Sequence, residues 1–172
     1  KDIAVYLVDH AFGDINGDSY PDIVVGGTDK LAWYKNTDGL GNFSVTQLIE
    51  GNTYTIQSLA IGDLDNDNDL DVVYGYWGSN ETKLYWQKNL DGLGTFGQPI
   101  LLNTNDNYYM YIQIMDIDND GDNDITANAT NLVLYKNNGQ GVFTDSSLGS
   151  YIDSFNITDI TGDGLMDVIT IS

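Results

Sequence analysis

Asp116-Ile117-Asp118-Asn119-Asp120-Gly121-Asp122-Asn123-Asp124 sets an acid at every second position and closes on an Asp eight residues after the first. The same frame recurs as Asp14-Ile-Asn16-Gly-Asp18-Ser-Tyr20-Pro-Asp22, as Asp63-Leu-Asp65-Asn-Asp67-Asn-Asp69-Leu-Asp71 and as Asp159-Ile-Thr161-Gly-Asp163-Gly-Leu165-Met-Asp167. Oxygens from positions one, three and five, a main-chain carbonyl from seven and a carboxylate from nine can supply the roughly six to eight oxygen ligands that calcium takes. The four stretches therefore read as hard-cation loops, implying three to four bound Ca2+ ions.

The loops also explain the composition. The formal charge is -20, with 26 acidic residues against six Lys and no Arg. Sixteen of the 24 Asp fall inside the loops, so the acidity is metal-site acidity rather than a solvated tail. Without ions, each loop crowds carboxylates whose repulsion opposes the compact state. With so few cations there is no basic surface for phosphates, which excludes nucleic acid as a partner. The chain has no Cys, hence no disulfide, thiolate zinc site or cysteine nucleophile. No stretch reaches the roughly 18 apolar residues of a membrane span. At 172 residues and 41% apolar content, the chain can bury one sizeable core.

A repeat emerges when the loops are aligned, for Asp14, Asp63, Asp116 and Asp159 are spaced by 49, 53 and 43 residues. A second motif keeps the same beat: Leu31-Ala-Trp33-Tyr34-Lys35-Asn36-Thr-Asp38-Gly39-Leu-Gly41-Asn-Phe43, then Leu84-Tyr-Trp86-Gln-Lys88-Asn89-Leu-Asp91-Gly92-Leu-Gly94-Thr-Phe96, then Leu134-Tyr135-Lys136-Asn137-Asn138-Gly139-Gln-Gly141-Val-Phe143. Spacing near 45 residues signals an array or propeller. The apolar pattern within each unit has period two, which predicts short strands and no helix. One strand enters the loop and a second leaves it through Ile23-Val24-Val25, Val72-Val73-Tyr74 or Val168-Ile169-Thr170. A third carries Trp33, Trp86 or its counterpart into an Asp-Gly or Asn-Gly hairpin turn. The fourth begins at Phe43, Phe96 or Phe143. Four antiparallel strands per repeat make the blade of a β-propeller, an all-β fold. Approximate repeats are 1–49, 50–102, 103–149 and a partial 150–172, within a single propeller segment spanning 1–172.

These units resemble the FG-GAP and VCBS repeats of integrin alpha subunits and of many secreted proteins, with a calcium loop between the first two strands of each blade. The resemblance implies ligands at Asp14, Asn16, Asp18 and Asp22; Asp63, Asp65, Asp67 and Asp71; Asp116, Asp118, Asp120 and Asp124; and Asp159, Thr161, Asp163 and Asp167. Main-chain oxygens would come from Tyr20, Asp69, Asp122 and Leu165. The family prefers Gly at position six, kept here at Gly121 and Gly164 but replaced by Ser19 and Asn68; Ser tolerates positive φ poorly. Three blades and half of another do not close a ring, since propellers close with roughly four to eight. The chain is thus expected to be part of a larger propeller, or to assemble through unpaired half blades.

Other residues carry weaker signals. Trp33 and Trp86 are expected in blade packing, whereas Trp77, in a longer loop without counterpart, and Tyr108 and Tyr109 are candidate ligand contacts. Sequons at Asn80 and Asn128 are expected in loops open to a glycan. His10, the only histidine, reads as an ordinary polar residue. Without a nucleophile beside a base, the chain reads as non-catalytic. The resemblance implies an extracellular or cell-surface module for adhesion, recognition of glycan or protein, or surface assembly. Two alternatives are the propeller portion of a secreted polysaccharide-degrading enzyme and the subunit of an extracellular fibre.

Overall fold

A computed structural model of the chain describes residues 7–51, 55–78, 81–105, 111–150 and 154–171. These residues form strands and turns, with no helix among them. The first sheet contains β1 (Leu7–Gly13), β2 (Asp22–Gly27), β3 (Lys30–Tyr34) and β4 (Gln47–Gly51), in that spatial order. The second repeats it with β5 (Thr55–Gly62), β6 (Asp71–Trp77), β7 (Thr82–Gln87) and β8 (Ile100–Asn105). The third is built from β9 (Tyr111–Met115), β10 (Asp124–Asn128), β11 (Asn131–Lys136) and β12 (Thr144–Ser150). A last pair, β13 (Ser154–Thr158) and β14 (Asp167–Ile171), repeats the first two strands once more. Every pairing is antiparallel between neighbours in sequence, so each sheet is a meander.

The period-two pattern works because the sheets are stacked face to face. Successive residues of β6 point to opposite neighbours: Val72, Tyr74 and Tyr76 join Val24, Leu31, Trp33 and Ile56 between the first and second sheets. Val73 joins Leu84, Trp86, Ile112, Ile125 and Tyr135 between the second and third. Both faces of β6 are therefore dry from Asp71 to Tyr76, and each fully buried Val or Leu contributes roughly 1.5–3 kcal/mol. Packing between sheets runs chiefly through the first strands, β1 on β5 and β5 on β9, so the sheets fan outward from that inner edge. This is the blade arrangement of a propeller. No helix among the described residues is long and apolar enough to cross a membrane.

Three expectations need adjustment. The fourth strand begins at Gln47 and Ile100 rather than at Phe43 and Phe96, which make only isolated bridges to Asn36 and Asn89. The third turn is accordingly not a tight two-residue hairpin. Thr37 N–H donates to Asn42 O and Ser44 N–H to Lys35 O, closing a wide loop braced by the Asp38 carboxylate. Trp77 is not in a loop: Tyr74 to Trp77 continue β6, with Trp77 opposite Thr55 and Thr82 and 44% exposed.

Candidate metal centres

Each acidic loop joins the first and second strands of a blade and is shaped by its own main chain. The position-one carboxylate accepts N–H groups from positions five and six: Asp14 from Asp18 and Ser19, Asp116 from Asp120 and Gly121, Asp159 from Asp163 and Gly164. Asp63 does the same with Asp67 and Asn68. Position five in turn accepts the N–H of position seven, as at Asp67 from Asp69 at 3.0 Å. The sharp turn requires two left-handed residues per loop. Position six is one, with Ser19 at φ 70° and Asn68 at 69°; position four is the other, with Gly17, Asn66, Asn119 and Gly162 at 58° to 74°. The second requirement was legible as an unbroken choice of Gly or Asn at position four, the residues that accept this conformation most readily.

The turning chain gathers the carboxylates. One oxygen each from Asp63, Asp65 and Asp67 lies within 4.8 Å of the others, and so does one each from Asp116, Asp118 and Asp120. Asp65 Oδ1 is buried with no hydrogen-bond partner among the described residues. An orphaned, buried carboxylate oxygen beside two more carboxylates, with no thiolate or imidazole ligand, fits a hard divalent cation. Asn16 and Thr161 replace the middle carboxylate in the first and fourth loops, so those loops offer fewer charges.

Position nine behaves differently. Asp22, Asp71 and Asp124 are fully buried, and each uses both oxygens on the main chain. Oδ2 accepts the position-two N–H of Ile15, Leu64 or Ile117, and Oδ1 accepts the N–H of Asn36, Asn89 or Asn137 on the third strand's turn. Trp86 Nε1–H adds a 2.9 Å bond to Asp71 Oδ2. Burial pushes the Asp71 carboxyl up to about 7 despite these donors, and pushes Asp22 and Asp124 upward as well. Asp22, Asp71 and Asp124 thus pin their loops to the sheet.

Neighbouring blades clamp the loops. Asn89 Nδ2–H donates to Ile15 O of the first loop at 2.9 Å, and Asn137 Nδ2–H to Leu64 O of the second at 2.7 Å. Asn66 donates to Asp122 Oδ1 at 2.6 Å, linking the second loop to the third. The turn glycines lie on the position-seven side chains, Gly39 on Tyr20, Gly92 on Asp69 and Gly139 on Asp122.

Of the remaining candidates, Tyr108, Tyr109 and Asn80 lie outside the described residues. Asn128, expected in an open loop, is instead completely buried at the end of β10. A fully buried amide has no room for a glycan. Trp33 and Trp86 are buried at 2% and 5%, as blade packing predicts. His10 is exposed and meets Phe12 edge to face.

Blades fanned from an inner strand, each with an acidic loop between its first two strands, define the class as a β-propeller repeat protein. The FG-GAP-like repeat family matches residues 14–74 and 72–127, and the chain belongs to that family. A solved structure of an Agrocybe aegerita lectin, described as recognising non-reducing terminal N-acetylglucosamine, is similar at a TM-score of 0.65 and 21% identity. The likeness covers 92% of this chain and 45% of the lectin chain, so this chain spans under half of that protein. No curated protein sequence matches.

Proposed function

We propose that the chain is a non-catalytic recognition module, stabilised by calcium and working outside the cell or at its surface, with glycan as its ligand class. The carrying observation is the carboxylate triad of Asp63, Asp65 and Asp67 with its buried, unpartnered Asp65 Oδ1. Calcium there is held by Asp63, Asp65 and Asp67, and in the third loop by Asp116, Asp118 and Asp120. Asp14, Asn16 and Asp18, and Asp159, Thr161 and Asp163, serve the other two. The ion ties the hairpin between the first two strands of a blade and neutralises its acids. The units are the repeats 1–49, 50–102, 103–149 and the partial 150–172.

The glycan reading rests on the lectin likeness in fold and on the exposed Trp77 indole at the end of β6, an aromatic face on which a sugar ring can stack. Recognition is favoured over hydrolysis because the acids of the loops are committed to ions and main chain. Calorimetric titration with calcium, followed by glycan-array binding in calcium and in chelator, tests both halves. Expected are saturable calcium uptake and glycan binding lost in Trp77→Ala. No calcium uptake would sink the first half, and full glycan binding by Trp77→Ala the second.

A further inference from the structure

Each of the first three loops has a lysine on it. Lys35 Nζ lies 2.7 Å from Asp18 Oδ2 and 3.0 Å from Asn16 Oδ1. Lys88 pairs with Asp65 Oδ2 and stands 2.9 Å from Asp67 Oδ2. Lys136 pairs with Asp118 Oδ2 and stands 3.4 Å from Asp120 Oδ2. In every case the ammonium bridges positions three and five of its own loop. The register repeats because each lysine directly precedes the Asn whose N–H pins the position-nine carboxylate, so one strand end delivers both.

We propose that Lys35, Lys88 and Lys136 are built-in counter-cations of the calcium loops, supporting the metal-free loop while lowering its affinity for calcium. The proposal rests on the calcium reading above. At the second loop Lys88 takes the Oδ2 atoms of Asp65 and Asp67 and leaves Asp65 Oδ1 without a partner, so ammonium and ion divide the carboxylates there. In the metal-free loop the ammonium offsets part of the repulsion among three carboxylates and holds positions three and five together. In the loaded loop the same fixed positive charge repels a divalent ion a few ångströms away and makes the site weaker than its carboxylates alone would make it. The device suits loops that must stay folded when calcium is scarce and fill only where calcium is abundant. Among the described residues no lysine reaches the fourth loop, where Asp159 is held by main-chain N–H groups and Thr161 already reduces the charge.

The test compares the whole chain with Lys88→Met, Lys136→Met, Lys88→Arg and Lys83→Met. Lys83 pairs with Glu81 outside any loop and serves as control. Calcium affinity is read by competition with a chromophoric chelator, and thermal melts are run in saturating calcium and in excess chelator. Lys88→Met and Lys136→Met are expected to bind calcium at the altered loop on the order of tenfold more tightly. They should also melt about 5 °C lower in chelator, with little change in calcium. Lys88→Arg, which keeps the charge, and Lys83→Met should match the parent in both readouts. A Met variant too unstable to purify without calcium is loaded first and read by affinity alone. Unchanged or weaker calcium binding in the Met variants overturns the proposal, as does an Arg variant that behaves like Met. Absence of calcium binding by the parent chain overturns the calcium reading itself, an outcome separable from a parent that binds with lysine variants that do not differ.

Discussion

The indole of Trp33 in the first blade stands directly against Gly94 in the turn of the second: a Cβ built on Gly94 would lie 2.2 Å from Trp33 Cζ2. Trp86 meets Gly141 of the third blade the same way, at 2.3 Å from Cη2. The first and second blades thus each present a tryptophan to a bare backbone on the next. Gly94 also sits at φ 89°, where any side chain is strained.

Gly94→Ala and Gly141→Ala should each destabilise the chain by about 2–3 kcal/mol, combining a forced shift of the indole with left-handed strain. Gly97→Ala, whose Cβ would meet only the Leu90 side chain at 3.3 Å or more, should cost under about 1 kcal/mol. Urea unfolding of the three variants in calcium checks the contrast; equal losses would remove the packing argument.

The blade-to-blade amides carry a second expectation. Asn137 is 2% exposed and donates to both Leu64 O and Asn123 O, while its main-chain N–H serves Asp124. Asn137→Ala removes the amide donor from the buried Leu64 carbonyl and from the half-buried Asn123 carbonyl and should cost about 2–3 kcal/mol. Asn36→Ala loses a bond to Pro21 O within its own blade, and should cost about half as much. Chemical denaturation reads both.

Ser19 holds φ 70° with its N–H on Asp14 Oδ2. Ser19→Gly keeps that donor and removes the left-handed strain, so a gain of about 0.5–1 kcal/mol is expected. The melting temperature should rise by a few degrees; a fall would mean that the hydroxyl contributes more than the strain costs.

Chelation should lower the melting temperature, because it removes binding energy and restores repulsion among the loop carboxylates together. Asp65→Ala and Asp118→Ala should reproduce part of the loss in calcium, and Asp145→Ala, on β12 outside any loop, should leave the melt within about 0.5 kcal/mol of the parent. A melt that ignores excess chelator refutes calcium stabilisation.

Metal-free chain should respond to pH in an unusual direction. The Asp71 carboxyl is raised by burial from 3.8 to about 7, so the folded state binds its proton where the unfolded state does not. Stability in chelator should therefore rise as pH falls from 8 toward 5, by at most about 1.4 kcal/mol per pH unit for that one proton. Asp71→Asn should flatten the trend at lower overall stability, since its amide nitrogen meets N–H donors where a carboxylate oxygen accepted them. A chelator melt that falls steadily from pH 8 to 5 would contradict it.

The nine-residue loops, their beat and the strands around them could be read from the chain because that chemistry is local. Alternating oxygens, turn residues and period-two apolar runs act within one hairpin, and each repetition reinforces the same inference. Position four is Gly or Asn in every loop, at Gly17, Asn66, Asn119 and Gly162, and that too is a local signal, of a left-handed turn. What the tertiary structure alone decided are relationships between segments. The Lys88 ammonium reaches Asp65 across 23 residues and the Asn137 amide reaches Leu64 across 73, distances over which no sequence period speaks. Asn128 lies buried, and Trp77 stays exposed, because the stacking of one sheet on the next, rather than alternation within a strand, determines which faces are dry.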